Sequence, residues 1–405
     1  MMGQAYLSRA AGIGGAIKAS PADFLVEEIA PDGTIFEFGR QIERPGTPGP
    51  YLHFVLQKSD WSTSSAISEI AKRLHTSQNN FNFAGSKDKL AITTQLASVR
   101  GSSKEAVLGI RIKDIAINGA WGANDRVQLG DLLGNRFTIR VRGACENPEE
   151  KVAAISGELE GKFPNYFGEQ RFGSSRRNTH LVGEKLLKGE VEEALIMYLC
   201  DSEGETHAEA TMARKELAKT RDWACALKSF PNHLRLERSM LAHLSRKPDD
   251  YAGALRSLPR NILLMFIHAY QSDLFNRLLS ERLIEGEGRP ELEEGEYFCG
   301  ETLGFPDLNK TEGEGWISAK LIGYNTPLNP REKALFDTLG IQKDAFRMKA
   351  LPEIASKGSF RTLFAPLKDF NFDGDTTTFS FALPSGSYAT VAMREFMDSK
   401  TGGRG

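Results

Sequence analysis

Phe83-Ala84-Gly85-Ser86-Lys87-Asp88-Lys89-Leu90-Ala91-Ile92-Thr93-Thr94-Gln95 is the stretch that decides how this chain is understood. Phe81 to Ala84 alternates as a strand, Gly85 lets the backbone turn sharply, and strand character resumes over Ile92–Val99. Between them one carboxylate, Asp88, is held between Lys87 and Lys89. Flanking cations favour an ionised carboxylate. An ionised, positioned aspartate serves as a nucleophile or a base, and the lysines attract phosphates. On spacing alone, Lys-Asp-Lys in a turn is also an ordinary solvated loop.

Moving outward, Lys18 to Ile29 ends in a short alternating run that predicts a strand, and a second strand is predicted at Tyr51–Gln57. Thr63 is placed to cap a helix whose Ile67, Ile70, Ala71 and Leu74 fall on one face. Arg136–Arg142 predicts a further strand. Asn147-Pro148-Glu149-Glu150 predicts a helix start, with Asn147 as cap and proline in the first turn. From about Thr179 to Leu283 the pattern is helical, including Val191–Cys200, Ala208–Thr220 and a long helix at Arg260–Leu283. Asn329-Pro330-Arg331-Glu332 starts another helix, which Gly340 ends. Strands return at Phe360–Pro366 and Thr376–Leu383, and Ser387 is placed to cap a last helix running through Met397. Alternating strands and helices at both ends predict an α+β sheet, and the helical middle predicts an inserted domain.

Composition narrows the function. The chain has 405 residues, 40% of them hydrophobic, enough for more than one core. No apolar run approaches a membrane span, and Met1 to Ala22 lacks the apolar centre of a signal peptide, so a cytoplasmic protein is expected. The four cysteines are scattered, which argues against zinc and against disulfides and predicts thiols mostly packed in cores. No histidine pattern supports a metal. The net charge of −2 does not advertise nucleic acid, but its distribution is uneven. Lys87 and Lys89, then Arg136, Arg140 and Arg142, then Arg171, Arg176 and Arg177 form basic clusters, whereas Glu281–Glu301 is acidic. Such clusters suit a local RNA groove and equally suit solvated surfaces.

A second segment, Phe163-Pro164-Asn165-Tyr166-Phe167-Gly168-Glu169-Gln170-Arg171-Phe172-Gly173, sets aromatic rings and an asparagine among glycines and an arginine. Rings beside basic side chains suit stacking on an unpaired base, with Asn reading a base edge. The same composition fits an aromatic cluster sealing a domain junction. Gly12 to Gly15 lacks the strand, third glycine and downstream acid of a dinucleotide fingerprint and is expected to be a flexible turn. No phosphate-binding loop and no hydrolase elbow occurs.

These segments together resemble the TruD family of tRNA pseudouridine synthases. The motifs that carry the resemblance are Lys18–Glu28, Ala84–Gln95, Pro164–Gly173 and Phe381–Phe396, in the family's order. The resemblance implies an α+β fold: a pseudouridine-synthase mixed sheet with helices packed on it, interrupted by a largely helical α/β insertion of the TRUD type. The expected division is catalytic domain over residues 1–172, insertion over 173–355 and return of the catalytic domain over 356–405. By the same resemblance Asp88 is the catalytic aspartate and Lys18 its basic partner. Asn165 and Phe167 hold and stack on the target uracil, and Lys87, Lys89 and Arg171 contact substrate. Lys89 stands where many relatives have Arg, giving charge without the bidentate fork.

The implied reaction is isomerisation of uridine to pseudouridine in tRNA, with uridine 13 the inherited target. The glycosidic bond breaks, the uracil rotates and rejoins the ribose through carbon, so neither redox nor hydrolysis occurs and no cofactor or metal is expected. The base must leave its stack, at a cost of a few kcal/mol. The partner is tRNA, and a monomer is expected because RNA must lie in a cleft between domains. The rival readings are a non-catalytic RNA-binding protein or chaperone on the same fold, and a carboxylate enzyme acting on small nucleosides. An Asn or Gly at position 88 would have favoured the first of these.

Overall fold

The structure, a computed structural model, describes residues 4–398. It divides into two compact units. Of the described residues, one comprises Tyr6–Asn165, Glu301–Asp307 and residues 364–398; the other comprises Tyr166–Gly300 and Leu308–Leu363, together with Gln4 and Ala5. The chain passes between the units after Asn165 and after Leu363, and briefly at Glu301–Asp307.

The first unit is built on a mixed eight-stranded sheet. Its order is Lys368–Asp373, Thr378–Pro384, Gly134–Arg140, Phe24–Ile29, Ile92–Arg100, Tyr51–Ser59 and Ile115–Ala123, with Phe81–Phe83 paired to Ile92–Arg100. Phe24–Ile29 runs parallel to Ile92–Arg100, with Leu25 opposite Ile92, whereas Tyr51–Ser59 runs antiparallel to it, with Lys58 opposite Thr93. The starts of the first two strands and the end of the third therefore share one end of the sheet. The segments entering and leaving there, around Lys18, Asp88 and Lys58, are brought together by register alone.

Helix Thr63–Arg73 covers one face. Its Ala66, Ile67, Ile70 and Ala71 pack with Leu52, Phe54, Leu56, Ala97 and Val99 from the sheet. Its cap is Ser62, which accepts from the Ser65 N–H, and not Thr63 as predicted; Thr63 is the first helical residue. The helix Glu149–Leu159 begins as the Pro-Glu-Glu signal predicts, but Asn147 does not cap it. Its φ of +52° lies in the left-handed region, and the helix has no side-chain cap. Gly14–Ala16 is a short strand against Arg142–Ala144, so Gly12 to Gly15 is not the flexible turn that was expected.

The second unit is mainly helical, and the predicted helices Val191–Cys200 and Ala208–Thr220 have those bounds. The 26-residue helix Arg260–Glu285 runs through its core. Leu263, Phe266, Ile267, Tyr270, Leu274 and Leu278 pack there with Val182, Leu195, Met240, Leu255 and Phe336. Asn329, Pro330 and Glu332 form the predicted capping box, and Gly340, with φ +64°, ends that helix. Part of the acidic stretch is paired within this unit. Arg282 pairs with Glu296 at 2.6 Å, and Arg331 pairs with Glu285 at 2.7 Å and with Glu293 at 2.8 Å.

The run predicted as one strand over Phe360–Pro366 is two. Ser359–Thr362 joins the second unit's sheet beside Trp316–Leu321, and Phe364–Pro366 pairs with Lys162–Pro164 in the first. A continuous apolar pattern cannot show where a chain passes from one core to another. Of the cysteines only Cys299 is buried, and Cys225 is exposed, against the expectation of thiols mostly in cores.

Candidate active site

Asp88 lies in the turn between Phe81–Phe83 and Ile92–Arg100. Lys18 reaches it from the segment preceding Phe24–Ile29, with Nζ 2.5 Å from Asp88 Oδ2. Lys18 takes a left-handed backbone, φ +60°, and its ammonium stands 4.2 Å over the Phe24 ring, so its aim is set by main chain and aromatic face together. Nearby, Asp23 is held well below the usual carboxylate range, first by hydrogen bonds from Arg142. Asp88 retains about a third of its side-chain exposure, at 36%, so the carboxylate is both gripped and reachable.

Three side chains hold the turn from behind. The Lys87 N–H donates to Thr63 Oγ1 at 3.0 Å, Thr63 Oγ1 donates to Gln95 Oε1 at 2.9 Å, and Gln95 Nε2 donates to the Gly85 carbonyl at 2.9 Å. Lys58 Nζ donates to the Asp88 carbonyl at 2.9 Å. Thr63 and Lys58 were not anticipated as site residues. For Thr63 no signal distinguishes a hydroxyl that caps a helix from one that caps a neighbouring turn. For Lys58 a signal exists. Leu52, Phe54, Leu56 and Lys58 are the alternate, buried residues of one strand, and a lysine on that phase is out of place.

The sequence-derived residues separate into groups. Lys18 and Asp88 are in contact. Lys89 is exposed. Lys87, expected to attract phosphate, instead turns inward to Glu28 at 2.6 Å, its side chain 7% exposed and the Glu28 side chain 1%. An ammonium bound to a buried carboxylate is not available to a phosphate. Part of the remaining basic clustering is also paired. Arg136 binds Glu27, Arg142 binds Asp23 and Arg176 approaches Glu237, whereas Arg177 meets Glu169 at the surface with its side chain 60% exposed, and Arg140 stays exposed.

Asn165 is buried, and its Oδ1 accepts from Ser387 Oγ at 2.9 Å. The hydroxyl predicted to cap the last helix therefore holds this asparagine, and Tyr388 occupies the cap position without capping the helix through its side chain.

Phe167 belongs to the second unit. Its main chain is fixed at both ends by one amide, the Phe167 N–H donating to Asn276 Oδ1 and Asn276 Nδ2 donating to the Phe167 carbonyl. The ring is 7% exposed, edge-on to Phe275, with the Arg361 guanidinium 4.1 Å above it and Arg171 at 5.5 Å. Arg171 is itself held by a hydrogen bond to Ser272 Oγ. Arg361 went unnoticed in the sequence, because nothing in local spacing links it to residue 167. Among the described residues no three His, Cys, Asp or Glu side chains gather as a metal site.

A positioned carboxylate under an ammonium, at one end of a mixed sheet, suits nucleophilic or proton-transfer chemistry. Comparison with known proteins identifies the family. The family model described as tRNA pseudouridine synthase D (TruD) matches residues 2–396. A protein of Thermococcus sibiricus named "Probable tRNA pseudouridine synthase D" is 38% identical over 97% of both chains. One of the same name from Archaeoglobus fulgidus is 37% identical over 98% of both. A crystal structure of the TruD protein of Methanosarcina mazei superposes with a TM-score of 0.75 at 34% identity, covering 97% of this chain and 95% of that one. Likeness at this level along nearly the whole length, in sequence and in fold, means that this chain belongs to the TruD family of tRNA pseudouridine synthases.

Proposed function

We propose that this chain converts uridine 13 of tRNA into pseudouridine, with Asp88 as the nucleophile and the target base flipped out of its stack. Membership of the family supports the coarser statement, an isomerase that makes pseudouridine in tRNA. The observation that carries the role of Asp88 is the Lys18–Asp88 contact at 2.5 Å, which pairs the carboxylate with an ammonium and aims it while leaving it partly open.

The chemistry balances without an external reagent. The bond from uracil N1 to the sugar breaks, a carbon–carbon bond to uracil C5 forms, C5 gives up its proton and N1 gains one. An ionised carboxylate serves either by attack on the sugar carbon or the uracil, or by taking a proton from the ribose, and each route needs Asp88 charged and fixed. Lys18 stabilises the anion until it reacts. Lys89, exposed beside it, supplies a positive charge for phosphate. Asn165, locked by Ser387, is a candidate to hold the uracil edge. The protein acts as a monomer in the cytoplasm in this reading, and a stable dimer in light scattering would contradict the first part.

Unmodified tRNA transcript, incubated with the protein and mapped by chemical reverse-transcription stops, tests the proposal. A single stop at position 13, absent when that uridine is replaced by cytidine, is the expected result. Tight binding with no product would instead favour a non-catalytic RNA-binding protein.

Phe167→Ala tests the stacking role. Base–aromatic stacking contributes about 1–3 kcal/mol, so single-turnover rate should fall by about 5- to 150-fold. tRNA affinity in filter binding should change far less. Because Arg361 covers the ring, a base stacks there only after that guanidinium has moved. Equal losses in rate and affinity, or none, would make the ring structural.

A further inference from the structure

Lys58 is a buried lysine, 1% exposed, on the core-facing phase of its strand. An ammonium in such a place is costly, and a methionine of similar volume would be cheaper. Its ammonium makes one hydrogen bond among the described residues, to the Asp88 carbonyl, and no other donor reaches that oxygen among them. Thr63 and Gln95 hold Lys87 and Gly85; only Lys58 acts on the main chain of Asp88 itself. We propose that Lys58 is a positioning residue for Asp88, gripping its carbonyl from inside the sheet so that the carboxylate is aimed by two ammonium groups, Lys18 on the side chain and Lys58 on the backbone. The proposal rests on Asp88 being the nucleophile.

The surroundings support a role beyond packing. Burial pushes the Lys58 ammonium down to about 8, with the Asp88 charge opposing that shift and Lys87 adding to it. Lys18 and Glu28 bear on it through those two residues. The strand neighbours opposite Lys58, Thr93 and Ile115, carry no charge. The group thus loses its proton as pH rises through about 8, whereas an unperturbed lysine would keep it. The neutral amine still donates to the carbonyl, but more weakly, and the positive charge behind the turn is gone.

The test compares wild type, Lys58→Met and Asp88→Asn on full tRNA, measuring kcat, KM, melting temperature and the pH profile. Lys58→Met should lower kcat by about 10- to 100-fold, the scale of a misplaced reacting group, with KM unchanged within about threefold. Its melting temperature should not fall, because the charge removed was costly to bury. Wild-type kcat should decline as pH rises through about 8, and Lys58→Met should lack that limb. Wild-type kcat in Lys58→Met, with Asp88→Asn inert, would overturn the positioning role alone. Activity persisting in Asp88→Asn would overturn the reading of Asp88 on which it rests. A lowered melting temperature with matching losses in binding and turnover would make Lys58 merely structural and overturn the proposal. If Lys58→Met fails to fold, a wild-type profile flat between about pH 7 and 9 overturns it as well.

Discussion

Asp88→Asn should form no measurable pseudouridine, a fall of at least about 10³-fold in single-turnover rate, while still binding tRNA. Every tenfold loss is about 1.4 kcal/mol of barrier, so this asks at least about 4 kcal/mol of one carboxylate. The size follows from what the substitution removes. Asparagine keeps the shape and an oxygen that accepts from Lys18, and it leaves the Lys58 bond to the main chain in place. It removes the charge and one of the two carboxylate oxygens, which the proposed chemistry requires. Because the side chain is 36% exposed and lies in a turn, the fold should tolerate the change. Reverse-transcription mapping gives the rate, and filter binding the affinity. Product forming at more than a few per cent of the wild-type rate would remove Asp88 from the nucleophile's role.

Lys87→Met should be the most destabilising change at the site, and for a reason unrelated to RNA. It strands Glu28, whose side chain is 1% exposed and whose Oε2 meets the Lys87 ammonium at 2.6 Å. The Leu96 N–H still donates to Glu28 Oε1, but a buried carboxylate that has lost its counter-ion costs about 3–5 kcal/mol. That corresponds to a melting transition lower by roughly 6–20 °C. Lys87→Met combined with Glu28→Leu should recover most of the loss, since the pair is then removed together. The salt dependence of tRNA binding should be unchanged in the folded variant, whereas Lys89→Met should lower its slope by about one. Unaltered melting together with a reduced salt slope would return Lys87 to the phosphate-binding role that the sequence suggests.

These two neighbours show how a motif can be legible while its parts are not. Gly85 to Lys89 announces a turn with a carboxylate between cations, and the turn is there. The sequence treats the two flanking lysines alike, and the structure sends one inward to a strand 59 residues away and leaves the other exposed. Lys58 lies between the two cases. Its place on the inward phase after Leu52, Phe54 and Leu56 was available from alternation, but its partner, a main-chain carbonyl 30 residues on, was not.

What the sequence determined by itself is what short-range physics controls. The helices Val191–Cys200 and Ala208–Thr220, the capping box at Asn329 and the stop at Gly340 rest on contacts three or four residues apart, and spacing expresses them directly. The α+β class and the helical insertion follow from the order of such segments. Tertiary structure alone decided the rest. It gave Thr63 and Ser387 to the Asp88 turn and to Asn165 instead of to helix caps, laid Arg361 over Phe167, and split 359–366 between two cores. Each of these is a long-range pairing of a group with several chemically adequate local partners. For the site itself the selecting interaction is the parallel register of Phe24–Ile29 on Ile92–Arg100, with Tyr51–Ser59 antiparallel beside them, which brings Lys18, Lys58 and Asp88 to one end of a sheet.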